Sequence, residues 1–82
     1  QEGGLEGVVV QVDRFGNLIT NLPGSVLLKA DSTWRIEVGT GTIHGLSRYY
    51  GEHPPGSPLA LIGSHGRLEI AVNQGRACEQ LR

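Results

Sequence analysis

Apolar and polar positions alternate along much of this chain, and the alternation predicts its elements. "TWRIEVG" sets Trp34, Ile36 and Val38 against Arg35 and Glu37. That period of two predicts a half-buried strand. "RLEIAVN" does the same, with Leu68, Ile70 and Val72 on one face. "GVVVQVD", Gly7 to Asp13, is a β-branched run with strand character, and "NLITN", Asn17 to Asn21, predicts the strand that follows it. "TIHGL" and "PLALIG" complete the set, the latter with buried character. "FGN" reads as a tight connection in which Gly16 is free to take a positive φ. "LPGS", "GTG" and "SHG" read as turns, and "SRYYGEHPPGS" as a loop, since consecutive prolines exclude ladder hydrogen bonds. "VLLKADS" fits either a short helical turn or a loop, and "QGRACEQLR" a short terminal helix. Short strands spaced by roughly a dozen residues predict an antiparallel barrel or sandwich. The pattern does not set the strand order.

Composition narrows the picture. A chain of 82 residues fits one domain with a modest core. Its 13 glycines and 4 prolines agree with many turns and short strands. The net charge of −1, with no run of like charge, gives little support to electrostatic binding of nucleic acid. Cys78 is the only cysteine, so neither an intramolecular disulfide nor a multi-cysteine zinc site can form within one chain. A reducing, cytoplasmic setting is the expectation. No apolar run approaches the length of a membrane span, and no signal-peptide pattern opens the chain. The start "QEGGLEG", without an initiator Met, reads as a fragment or a processed chain.

Two stretches carry candidate chemistry. In "DRFGN", Asn17 offers the donor and acceptor that match the N6/N7 edge of adenine, and Phe15 a face on which a base stacks. The plainer alternative has Asp13 and Asn17 bonding the turn backbone and Phe15 packing on the core. In "IGSHGRLEIAVNQGRA", Ser64 and the N–H groups of "GSHG" could form an anion nest, or the segment is only a hairpin turn. Asn73 and Gln74 either read a base edge or end a strand. His44, His53 and His65 show no metal-ligand spacing, and no nucleophile-elbow pattern is present. Tyr49 and Tyr50 form a stacking wall or split between interior and rim. Trp34 is expected in the core, and Cys78 is expected as a packed thiol.

Taken together, "VVVQVDRFGNLITNL" and "GTIHGLSRYYGEHPPGSPLALIGSHGRLEIAVNQGRA" resemble the C-terminal domain of the S-adenosyl-L-methionine hydroxide adenosyltransferases, over roughly Gly7 to Leu81. The family also has halogenating relatives that attack the same molecule with halide. The resemblance implies an all-β fold, a small antiparallel Greek-key-like β-barrel with at most a short C-terminal helix. It implies the second domain of a two-domain enzyme, a homotrimer in which this domain has as partners the N-terminal domain of the same chain and that of a neighbouring subunit, the ligand lying between it and the latter. S-adenosyl-L-methionine is then a substrate, and no cofactor is expected. The water-activating residues are expected in the N-terminal domain, so no residue here is assigned catalysis.

By the same resemblance, Asp13 holds the methionine amino group, Phe15 flanks adenine, and Asn17 bonds the adenine N6/N7 edge. Ser64 meets the methionine carboxylate, with His65 beside it. The backbone of Gln74, next to Asn73, reads the adenine rim, and Tyr50 is a second aromatic contact. Halogenating relatives carry arginine where this chain has His65 and Val72, and both departures favour hydroxide over halide. Other readings are a domain of an S-adenosyl-L-methionine-dependent halogenase, a non-enzymatic module for sensing adenosine or S-adenosyl-L-methionine or for oligomerisation, and, with less support, an oligonucleotide-binding barrel.

Overall fold

The computed structural model describes residues 6–29 and 34–81, and in it the alternating segments become six short strands. These are β1 (Val9–Val12), β2 (Leu18–Pro23), β3 (Arg35–Val38), β4 (Gly41–His44), β5 (Pro58–Ile62) and β6 (Arg67–Val72). Four of them form an antiparallel sheet in the order β1-β2-β6-β5, and β3 and β4 pair as a separate hairpin. β6 is central because alternate residues face the core: Leu68, Ile70 and Val72 are all buried. It pairs continuously with β5, from Pro58↔Val72 to Ile62↔Leu68. On its other side it meets β2 through Leu18↔Ile70 and Pro23↔Arg67. Leu18, Leu27, Ile43, Ala60, Ala77 and Leu81 complete one cluster with the β6 residues.

The all-β class expected from the sequence is present, but the barrel is not closed among the described residues. No ladder joins the two sheets there. The approach between them is made by the chain beyond β4, where Ser47 N–H donates to the Ala60 carbonyl at 2.7 Å. At the other edge of the sheet, β1 has β2 on one side and no described strand on the other.

A second correction concerns helices. Besides the expected terminal helix, α2 (Ala77–Gln80), there is α1 (Gly24–Lys29). It resolves "VLLKADS" as helical up to Lys29; Ala30, Asp31 and Ser32 lie outside the described residues. The chain leaves the sheet at Pro23, which has no N–H to donate, and Gly24 N–H donates to the Gly66 carbonyl at 2.7 Å. One turn of helix then buries Leu27. Trp34 packs at the edge of the core and donates from Nε1 to the Leu27 carbonyl at 3.0 Å, which fixes α1 against the start of β3. Cys78 is partly buried against the same core, as expected of a packed thiol.

Candidate functional site

The β1–β2 connection is built around one carboxylate. Asp13 Oδ1 accepts from the N–H groups of Phe15 and Asn17, both at 2.9 Å, and Oδ2 accepts from Asn17 Nδ2 at 3.2 Å. Gly16 N–H donates to the Asp13 carbonyl at 2.9 Å, and Gly16 takes the positive φ expected of it, 86°. Half of the plainer reading is therefore correct, because Asp13 and Asn17 do organise the turn. The other half is not. Phe15 does not fold onto the core; it is 63% exposed, with the Arg14 guanidinium 5.3 Å from its ring centroid. Asn17, by contrast, is 5% exposed.

Register decides what lies beside this turn. Since Leu18 pairs with Ile70, the turn sits next to the C-terminal end of β6. An open pocket of about 590 Å³ forms there, lined by Phe15, Asn17, Val72, Gln74, Gly75 and Arg76. Gln74 adopts a φ of 57°, a left-handed conformation unusual for a residue with a side chain. The turn it occupies is closed by Gly75 N–H donating to the Val72 carbonyl at 3.0 Å.

The start of α2 clamps the assembly. Cys78 N–H donates to the Gly16 carbonyl at 2.9 Å, and Arg76 Nη1 donates to the Arg14 carbonyl at 3.1 Å. Gly16 permits this approach, because a Cβ there would lie 2.7 Å from the Arg76 Cβ. Arg76 is also paired with Glu79 at 3.0 Å. Gly75 and Arg76 were missed by sequence reasoning, and Val72 entered it only as a core-facing position and as a departure from the halogenating relatives. Nothing local marks Arg76 as a neighbour of Gly16.

The remaining candidate residues lie elsewhere. Ser64 and His65 are exposed in the β5–β6 turn, at the opposite end of β6. Six residues of strand separate them from the pocket, roughly 17–20 Å. Two N–H groups of that turn are used within the hairpin, Gly63 to Arg67 and Gly66 to Gly63, both at 2.9 Å. Asn73 does not line the pocket. Its Nδ2 donates to the His53 carbonyl at 2.6 Å, and its backbone bonds both Gly56 and Ser57, so it pins the loop. Tyr50 begins a 3-10 turn at Tyr50–Glu52, and its side chain lies outside the described part of the structure. His53 is engaged with Ser47 Oγ at 2.7 Å, and His44 is exposed on β4. Among the described residues no group of three or more His, Cys, Asp or Glu could hold a metal ion.

Glu69, also missed, lies between the two ends of β6. Burial raises its carboxyl above the ordinary range, the Asp13 carboxylate raises it further, and His65 acts in the opposite sense. Its side chain occupies the space beside Gly63 that any Cβ there would need. Both turns thus act on one central residue, although the pocket belongs to only one of them.

The family model for the SAM hydroxide adenosyltransferase C-terminal domain matches residues 7–82. The chain belongs to that family. An (R)-S-adenosyl-L-methionine hydrolase of Thermus thermophilus is 47% identical over 78 residues, which is 95% of this chain and 28% of that protein. A protein of the same name from Salinispora arenicola is 32% identical over 95% of this chain and 29% of its own length. Two crystal structures share the fold of this SAM hydroxide adenosyltransferase C-terminal domain. An uncharacterized conserved protein from Thermotoga maritima superposes with a TM-score of 0.77 at 38% identity, covering 92% of this chain and 30% of that one. A conserved hypothetical protein, also from Thermus thermophilus, gives 0.73 at 45% identity, covering 92% and 29%. The domain therefore spans less than a third of the length of these relatives. No helix among its described residues is long and apolar enough to cross a membrane.

Proposed function

We propose that this chain is the ligand-binding C-terminal domain of an S-adenosyl-L-methionine hydrolase, which converts S-adenosyl-L-methionine and water to adenosine and L-methionine. The observation that carries the proposal is the pocket itself. It joins the exposed Phe15 and the nearly buried Asn17 of one motif to Gln74 of the other. In this reading adenine stacks on Phe15 and meets the Asn17 carboxamide, which Asp13 orients, and the Gln74 backbone borders its rim. The ligand's amino-acid end extends along β6 past Asp13 toward Ser64 and His65. The separation of the two turns suits an elongated ligand rather than a nucleoside alone.

The sulfonium is a good leaving group, so the reaction needs an aligned, activated water more than acid catalysis at sulfur. This domain supplies placement. The groups that activate water belong to an N-terminal domain, and the site closes between this domain and that of a neighbouring subunit in a homotrimer. Val72 supports water over halide as nucleophile, because its side chain is fully buried where halogenating relatives carry arginine.

The test is to incubate the full-length protein with S-adenosyl-L-methionine and measure adenosine and methionine. Release of both in equal amounts is expected, with a raised KM for Asn17→Ala. No release from the wild type, or an Asn17→Ala enzyme with unchanged KM and kcat, overturns the reading.

A further inference from the structure

The turn that carries Asn17 also dictates which way its carboxamide faces. Asp13 Oδ1 is held by two backbone donors, the N–H groups of Phe15 and Asn17, both at 2.9 Å. The bond from Cys78 N–H to the Gly16 carbonyl pins the same turn from α2. The Asp13 carboxylate is thereby held in one orientation, with Oδ2 at 3.2 Å from Asn17 Nδ2. A carboxylate oxygen only accepts. Turned over, the amide would set its own oxygen against Oδ2, acceptor against acceptor. Asn17 is nearly buried, so water is poorly placed to relieve that mismatch.

We infer that Asp13 is a positioning residue that makes the pocket select a purine with an amino group at C6 over one with a carbonyl there. The inference rests on the reading of the pocket as an adenine slot and deepens it. An Asn pairs with adenine by accepting from N6 through Oδ1 and donating to N7 through Nδ2. That pairing uses one Nδ2 hydrogen and leaves the other for Asp13. A carbonyl at C6 turns the N6 donor into an acceptor, which then faces the fixed Oδ1. An amide free to turn over would offer Nδ2 to that carbonyl, and much of the difference would vanish. Selectivity therefore comes from what holds the amide. A fixed polar group rejects a ligand that leaves it unpaired, whereas an adaptable one re-pairs. A nucleoside without the methionine end is enough to show this role.

Adenosine and inosine are titrated by calorimetry into the full-length protein and into its Asp13→Asn variant. The substitution keeps an Oδ1 acceptor for the Phe15 and Asn17 N–H groups but puts an amide nitrogen in place of Oδ2. Asn17 then turns its oxygen to that nitrogen and its own Nδ2 to the base. The wild type is expected to bind adenosine about 5- to 150-fold more tightly than inosine. In Asp13→Asn that ratio is expected to fall about fivefold or more. A change that merely loosens the turn weakens both nucleosides by the same factor, and discrimination by the Gln74 backbone does not respond to Asp13. An unchanged ratio therefore overturns the inference, as does a wild type without the preference or without binding of either nucleoside. If the variant does not fold, purine riboside serves with the wild type. Its hydrogen at C6 neither pairs with the amide nor opposes it, so its affinity should lie between the other two. Inosine binding as tightly as purine riboside overturns the inference. Hydrolysis is scored separately. A protein whose nucleoside ratio depends on Asp13, but which releases no adenosine and methionine from S-adenosyl-L-methionine, supports this inference and refutes the hydrolase reading.

Discussion

Phe15 and Gly16 divide one task between them. Gly16 takes a conformation closed to most side chains and lets Arg76 come within contact, while Phe15 is left facing outward. Gly16→Ala should cost about 1–3 kcal/mol in chemical denaturation, because it combines a positive φ with a steric clash. Phe15→Ala should behave in the opposite way. An exposed ring contributes little to folding, so the melting temperature should hold. Affinity for an adenine ligand should fall roughly 5- to 150-fold if the ring stacks on a base. A large loss of stability with unchanged affinity would mean that Phe15 is structural after all.

Glu69 gives a pH signature at the same scale. Its folded value is raised above the ordinary 4.5, chiefly by burial. Folding therefore favours the protonated form. That contribution is complete below 4.5 and is lost as pH rises through the raised folded value. Glu69→Gln should accordingly raise the melting temperature at pH values well above the raised value, and the gain should disappear as pH falls below 4.5. A constant gain across that range would point to packing rather than ionisation.

At the scale of elements, the loop after β4 is held from outside itself. Asn73 Nδ2 bonds the His53 carbonyl, and the Asn73 backbone bonds Gly56 and Ser57. Asn73→Ala should cost about 1 kcal/mol and speed amide exchange around Gly56, with the sheet unaffected. The strands themselves were legible, because period two and punctuating glycines are local signals. β3, for example, is Arg35–Val38 within the expected "TWRIEVG". α1 was only half legible: a helix of six residues is too short to leave a period to count. The turn at Asp13 could be read from sequence as either bonded or displayed, and it is both. What no local pattern held was the docking of α2 on that turn, since Arg76 and Arg14 are 62 residues apart. The separation of Ser64 from the pocket was hidden for a related reason. It follows from which end of β6 meets β2, and alternation does not encode register between distant strands.

At the scale of the molecule, the domain is well packed in its middle and unfinished at one edge. Leu59, Ile70 and Val72 are almost fully enclosed, whereas every residue of β1 is exposed. The pocket opens on the turn that follows β1, so the unfinished edge and the candidate site are neighbours along the chain. The clamp between that turn and α2 has a further consequence, for synthesis. Within the domain, Arg14 leaves the ribosome 62 residues ahead of Arg76, and Gly16 likewise precedes Cys78, the groups that hold this turn. A nascent chain can form the β1–β2 hairpin but has no wall opposite Phe15 until nearly the whole domain is exposed. If the pocket binds ligand as proposed, chains cut short before Arg76 should therefore be non-binders rather than weak binders.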